Sequence, residues 1–494
     1  MNFKLQIIPF FLIVIMLSSC KEDNTKQKQQ HDIYSVLQDV LNERKEQLAN
    51  YMNDSKALSK KIQHDHAMVS FFEMKRQYYY LKKDTILPAK LIEEIEKLKQ
   101  NIQYHYIMNY QSFYDILFID TRGEIFYTIR KQADYQKNIF EGDLAHTALS
   151  KKLKDAPKES FVDFQFYEIS GEPSAFFIEP VLNDGKTVGW FVMQLSTNQI
   201  NNLFSINERL GATGEVVLVN KDHYLLTNSR FKNEPTILKQ QLPDENIDAK
   251  FQERSGKKTV VDYRGKEVHS VFDVFEFFNS EWLIIAKIDK NEVITQQYRH
   301  NKKKYFSELK SRFNFNELYS TDIINQNDQY VYVDMNEYHR GSPADVLCTQ
   351  GVSSCTAVNI CLPGQFSYLV HVSPYDVIYN ESRTDLLAQI FKQITFFEIT
   401  ESEKQQLEIH IMTTQLNSIE KLIDKIIDNG YFLSQIKFCY NPYALYGNIY
   451  SDCSENKVWV NWKMDQDQGA DFIQQDFKNI PSMENILVEI KTKI

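Results

Sequence analysis

The sequence predicts an α+β chain: a long amphipathic helix, two successive sets of antiparallel strands, and a further strand-bearing segment. Three observations carry this. Apolar residues from Ile33 on (Ile33, Val36, Leu37, Val40, Leu41, Leu48, Tyr51, Met52) recur at helical spacing. Alternating runs rich in β-branched and aromatic residues, separated by Gly and Asp turns, fill residues 114–195 and again 215–288. Strand patterns return beyond Gln329, punctuated by Pro343 and Pro363-Gly364. With 43% hydrophobic and 25% charged residues, the chain can bury several cores, enough for two to four domains. A net charge of −10 repels phosphate and argues against a nucleic-acid partner.

The N-terminus, MNFKLQIIPFFLIVIMLSSC, joins a basic Lys4 to an apolar run from Ile7 to Leu17. That run is too short for a bilayer core of ~30 Å, so it reads as an export signal. Leu17-Ser18-Ser19-Cys20 resembles the lipobox of bacterial lipoproteins. The resemblance implies that residues 1–20 are removed, that Cys20 is lipidated, and that the rest is held by a membrane anchor outside the cytoplasm. Lys21-Glu22-Asp23 resembles acidic signals for the outer surface. Residues 21–32 are polar and are expected to form a flexible tether. No later segment offers the ~18 consecutive apolar residues of a second crossing.

The helix from Ile33 is expected to break near Asn53-Asp54, with another over residues 87–103, started by Pro88 and supported by Glu/Lys pairs. YDILFID and EIFYTIR flank Thr121-Arg122-Gly123, a hairpin signal. Strands are expected at 161–169, 174–181 and 187–195, then at 215–220, 224–228, 258–262, 267–274 and 281–288. "LFIDTRGEIFYTIRK", "GEPSAFFIEPVLNDGKTVGWFVMQLSTNQINNLF" and "RLGATGEVVLVNKDHYLLTNSRF" resemble the double Cache domain of bacterial extracytoplasmic sensors. Over residues 33–290 this implies one helix spanning two PAS-like sheets, with a small-molecule ligand cupped by the first. Alternation offers Tyr127, Arg130, Asp163, Gln165, Tyr167, Phe176 and Ile178 as its lining. Arg130 would hold a carboxylate and Asp163 an amine; the alternative is that Arg130 is a strand-end surface charge and the aromatics are core. The Arg-x-Trp piece of amino-acid-binding relatives is absent. Residues 291–324 read as a helical linker whose basic run, His300 to Lys304, is a solvated face.

The last domain, 325–494, holds CTQGVSSCTAVNICLPGQFSYLVHVSP. A cysteine attacks as thiolate and needs a histidine or backbone N–H groups beside it. Cys355 lies in a turn of small residues, and His371 follows sixteen residues later, a spacing that suits neighbouring antiparallel strands. "LCTQGVSSCTAV…YLVHVSP" resembles the chemoreceptor glutamine deamidases of the CheD family over residues ~325–465. The resemblance implies a layered α/β domain in which Cys355 is the nucleophile, His371 its base, and Thr349 the residue that orients His371 or binds the carboxamide. Ser354 and Gly351 would form the turn whose N–H groups stabilise an oxyanion. An activated Cys355 should be alkylated near pH 6–7. Ser353 replaces a family glycine, and Ser367-Tyr368 replace a Gly-Gly pair, so Tyr368 is expected to narrow the substrate entrance. An insertion surrounds residues 397–405.

No metal or cofactor is expected. The expected function is hydrolysis of glutamine side-chain amides in a protein or peptide outside the cytoplasm, regulated by the small molecule. The alternative is a non-catalytic ligand-binding lipoprotein of signal transduction or chemotaxis. Cys348, Cys361, Cys439 and Cys453 accompany Cys355, and their pairing stays open.

Overall fold

Helix α1 (Phe11–Ile62) opens the computed structural model, which describes residues 11–494 except 85, 87, 156–157, 207, 312–329, 374–384, 397–398, 417–418, 465–471 and 493–494. The start of the export signal, the Cys20 side chain and the end of the 291–324 linker lie outside the described residues. Residues 21–32, read above as a tether, are helical. The break expected at Asn53-Asp54 comes instead after Ile62, because both residues face solvent and cost the helix little. Asp65 then caps α2 (His66–Asp84), its Oδ1 accepting from the N–H groups of Ala67 and Met68 at 3.0 and 3.2 Å. Helix α3 (Ala89–Asn109) follows. Among the described residues no helix is long and apolar enough to cross a membrane.

Residues Asp32–Lys290 form one compact unit. Its first sheet contains β1 (Asp115–Asp120), β2 (Ile125–Thr128), β3 (Ser160–Tyr167), β4 (Glu172–Asn183) and β5 (Lys186–Ser196), in the antiparallel order β2-β1-β5-β4-β3. Helix α2 covers one face: the Phe72 ring lies 4.8 Å from Phe126 and 5.3 Å from Phe191. A Cβ on Gly189 would stand 2.3 Å from the Ile119 carbonyl oxygen, so only glycine lets β5 lie this close. The other face, with Leu117, Val162, Phe176 and Val192, packs on Leu149 and Leu153 of α4 (Ala148–Asp155).

The second sheet contains β6 (Glu215–Val219), β7 (Ser255–Val261), β8 (Glu267–Phe277) and β9 (Ser280–Asp289), in the order β6-β9-β8-β7. Between α4 and β6 lies α5 (Thr197–Ser205), and α6 (Asp244–Glu253) covers the second sheet. No strand forms over 224–228. His223 turns the chain at φ +66°, and the Asn220 and Thr227 side chains accept from the N–H groups of Tyr224 and Leu218, leaving only single bridges.

The second unit carries the chain from Asn291 onward. Here α7 (Lys290–Ser311) precedes two five-stranded sheets, built from β10 (Val331–Tyr332), β11 (Tyr338–Gly341), β12 (Val346–Val352), β13 (Thr356–Leu362), β14 (Phe366–Val372), β15 (Glu408–Thr413), β16 (Ile436–Tyr440), β17 (Ala444–Asp452), β18 (Lys457–Met464) and β19 (Phe472–Asp476). One has the order β10-β12-β17-β18-β19, the other β11-β14-β13-β15-β16. Leu347, Ile449 and Trp462 meet Ala357, Leu369 and Met412 between the sheets. The outer face of the second, with Val358, Ile360 and Val370, packs on the helices Leu386–Phe396, Ile419–Asp428 and Met483–Thr492. A layered helix–sheet–sheet domain results.

Tyr368 belongs to that helix-facing side, fully buried beside Phe366 and Tyr338. It does not narrow an entrance to Cys355: with period-2 alternation, the residue three before His371 faces the opposite side of the sheet. All five described cysteines are free and buried, so none of the pairings left open forms.

Candidate functional site

In the C-terminal domain, β12 and β14 lie in different sheets, and one hydrogen bond joins them across the core. Thr349 Oγ1 donates to the Val333 carbonyl at 2.7 Å and stands 2.9 Å from His371 Nδ1. With its proton committed to Val333, the hydroxyl must accept from Nδ1–H. Nε2 is then the unprotonated nitrogen. It is buried and has no hydrogen-bond partner. The backbone fixes the ring too: His371 N–H donates to the Glu337 carbonyl at 3.2 Å, and its carbonyl accepts from Asn336 N–H at 2.8 Å.

Ala357 on β13 is the cross-strand partner of His371. Cys355, two residues earlier, shares the face of Ala357 and packs in the same core cluster. Thiol and imidazole are therefore diagonal neighbours on one side of one sheet. They do not touch in this state: Cys355 Sγ is 3.7 Å from Met335 Sδ, a side chain that is 58% exposed. Burial pushes the Cys355 thiol up, against a hydrogen bond from Ser354 that lowers it, and burial pulls the His371 imidazole down, against the nearby Asp334 charge. Both shifts favour the neutral pair. An activated Cys355 would be alkylated near pH 6–7 and an inert buried one would not; both shifts point toward the second outcome.

Gly351 holds φ +67° where β12 bulges between Thr349 and Val352, and its N–H donates to Asn448 Oδ1 at 2.9 Å. That commitment removes Gly351 N–H from an oxyanion role. Among the described residues, the N–H groups of Ser354 and Cys355 have no protein acceptor.

In the first sheet module the expected residues do not come together. Arg130 is exposed, donates from Nε to the Tyr114 carbonyl, and lies over the Tyr114 ring at 4.1 Å. Asp163 accepts from Trp282 Nε1 at 2.9 and 3.1 Å, so its carboxylate ties the two modules instead of meeting an amine. Tyr127 faces α2, its ring 4.9 Å from Phe71. Gln165 Oε1 accepts from Ala148 N–H at the start of α4. Tyr167, Phe176 and Ile178 do share the α4-side face, with Tyr167 and Phe176 ring centroids 5.0 Å apart.

Sequence reasoning missed the groups that give this face its chemistry. Tyr167 Oη donates to Asp134 Oδ2 at 3.0 Å, while Asp134 Oδ1 is buried without a partner. Asp115 Oδ1 accepts from the N–H groups of Ile116, Ile129 and Arg130, while Oδ2 is likewise orphaned. Its cross-strand partner Gln194 gives Nε2 to Ser170 and Ser174 and leaves Oε1 unpartnered. Three buried oxygens lack donors, and two belong to acids. The available signal was an aspartate at an inward-facing position of YDILFID.

Burial raises Asp115 to about 7 and also raises Asp134; on the opposite face of the sheet it raises Glu179 to about 7. In the unfolded chain these acids titrate near ~4. The folded state thus binds more protons between pH ~4 and ~7, and stability rises as pH falls through that window. Asp115→Asn should flatten this slope and stabilise the protein at pH 7.5 by roughly 1–2 kcal/mol, read from urea unfolding at pH 5 and 7.5.

No protein-family model matches the chain, and no curated protein matches it. Among solved structures, it is similar to an extracellular ligand binding receptor from Desulfohalobium retbaense (12% identity, TM-score 0.35), over 50% of this chain and 39% of that one. It is also similar to the periplasmic sensory domain of the Campylobacter jejuni chemoreceptor Tlp1 (16%, TM-score 0.38), over 54% of this chain and 98% of that domain. A third is the ligand-binding domain of the Pseudomonas fluorescens chemoreceptor CtaA in complex with L-isoleucine (14%, TM-score 0.35), over 55% and 99%. At these values the likeness bears on neither ligand nor reaction, which are argued from the chain's own geometry.

Proposed function

We propose that this chain is a lipid-anchored extracytoplasmic sensor with a thiol-dependent amide hydrolase as its C-terminal domain. The sensing reading rests on the first sheet module. Orphaned acceptors on Asp115, Asp134 and Gln194, beside the rings of Tyr167 and Phe176, suit a small ligand bearing an ammonium group.

The single observation behind the hydrolase reading is the Val333–Thr349–His371 chain. It leaves Nε2 as a buried free base on the face that carries Cys355. A glutamine carboxamide entering beside Met335 would bring the pair together, as catalytic hydrogen bonds often tighten only with substrate bound. His371 Nε2 takes the thiol proton as sulfur attacks the amide carbon, and the Ser354 and Cys355 N–H groups hold the oxyanion. The protonated Nε2 gives its proton to the departing nitrogen, releasing ammonia and a thioester. Water, deprotonated by Nε2, displaces the thiolate, which regains a proton, and glutamate results.

A specific observation favours the second reading, a binding protein without catalysis: the thiol is buried, un-ionised and turned to Met335. The full-length chain in detergent, incubated with surface proteins of the producing cell, decides between them. The hydrolase releases ammonia and adds one dalton at glutamine sites, and Cys355→Ser does neither. Identical glutamine spectra with both proteins would leave only the binding reading.

A further inference from the structure

We infer that the second sheet module holds a separate site for a short-chain aliphatic carboxylate, with Lys250 as its counter-charge. Helix α6 lies on this sheet through Ile247 and Phe251, and Lys250, one turn after Ile247, faces inward with them. It is 3% exposed. The module's other buried cations are paired. Lys287 Nζ is 2.5 Å from Asp262 Oδ2 and 3.1 Å from Glu215 Oε1, and Arg264 bonds Asp262 at 2.8 Å and Asp289 at 2.5 Å. The Lys250 ammonium has neither an ion pair nor a hydrogen bond among the described residues; its Nζ lies 5.6 Å from the Phe272 ring centre.

An ammonium group this buried, facing only a narrow cleft and lacking an anion, is held at a cost in free energy. Its surroundings offer little relief. Burial first, then Lys287 and Lys258, pull Lys250 down to about 8, while Glu253 and Asp262 oppose weakly. Asp262 is already committed to Lys287 and Arg264, so its charge is largely neutralised toward an incoming anion.

Beside Lys250 opens a small cleft of about 30 Å³, open to solvent at its mouth. Leu242, Ile247, Val260, Val268 and Ile285 give it an aliphatic lining, while Lys250, the paired Lys287 and Asp262, and the polar Asn246, Tyr263 and Ser270 line the rest. A polyanion would find one free cation there, and a neutral hydrocarbon would leave it unpaired. A monocarboxylate with a short alkyl body satisfies both the ammonium and the aliphatic lining. This site lies on a different sheet from Asp115 and Asp134, so it stands or falls apart from the amine reading.

Calorimetric titration of the full-length chain with sodium butyrate tests it, with butyramide as the neutral isostere. Butyrate should bind with one-to-one stoichiometry and butyramide at least about tenfold more weakly. Lys250→Met should lower butyrate affinity at least about tenfold, while Lys239→Met, at an exposed lysine of the same module, leaves it unchanged. The comparison of the two ligands on the native chain needs no variant to fold. Absent butyrate heat, equal binding of butyramide, or unaltered affinity in Lys250→Met would each overturn the site.

Discussion

Replacing His371 by asparagine should lower turnover of a glutamine amide by about 10³-fold or more, with little change in KM. Among the described residues the ring is the base on the Cys355 face, and burial raises the thiol against the Ser354 hydrogen bond that lowers it. Thr349→Val should cost less, about 10–10²-fold, by a different route. It removes the Nδ1–H acceptor, so the imidazole loses the tautomer that exposes Nε2. Thr349→Ser, which restores a hydroxyl, should recover most of the rate. Recovery separates orientation of the base from mere packing, since serine lacks the methyl group.

The pH profile carries the same logic. Because burial pulls His371 below its ordinary value near ~6.5, the acidic limb of kcat/KM should fall below that pH. Alkylation of Cys355 by iodoacetamide should be slow at pH 7 and rise only in the alkaline range. Fast alkylation at pH 6 would reveal a resting ion pair and refute the neutral-pair mechanism.

The same residues mark how far the sequence could be read. Strands β1, β4, β5, β8 and β9 were legible because alternation and flanking turns are local properties. The strand expected at 224–228 was not: the Asn220 side chain takes the Tyr224 N–H and Thr227 takes that of Leu218, which compete with a ladder without altering the apolar pattern. Thr349, Cys355 and His371 stood out through a resemblance; register puts Cys355 and His371 on one face of one sheet, and Thr349 reaches the His371 ring from the other sheet. The Val333 carbonyl, which sets the Thr349 proton and hence the histidine tautomer, leaves no trace in side-chain identity. For Arg130 and Asp163, alternation names a face but not a partner; Arg130 is the exposed strand-end charge that the alternative reading gave. Asp163 finds its partner 119 residues away, a tertiary choice that spacing does not encode.

That long-range partner leads to the second large effect. Trp282→Ala should destabilise the sensor half by about 4 kcal/mol. The indole is fully buried and packs 5.7 Å from Phe164, 5.9 Å from Phe275 and 6.3 Å from Phe161, so truncation opens a cavity among aromatic rings from both sheet modules. It also strands Asp163, whose two oxygens lose the Nε1–H donor. Burial already raises this acid, and loss of the indole donor should raise it further, with the Phe164 N–H still donating to Oδ1. Trp282→Phe keeps most of the packing but not the donor, and should cost roughly half as much. Native-state hydrogen exchange of the full chain can read both variants: amides of β3, β4 and β9 should lose about 10²–10³-fold protection in Trp282→Ala, with β13 and β14 unchanged. Loss confined to β9 would mean that each sheet is stable alone, and that the Trp282–Asp163 contact joins the modules without supporting either.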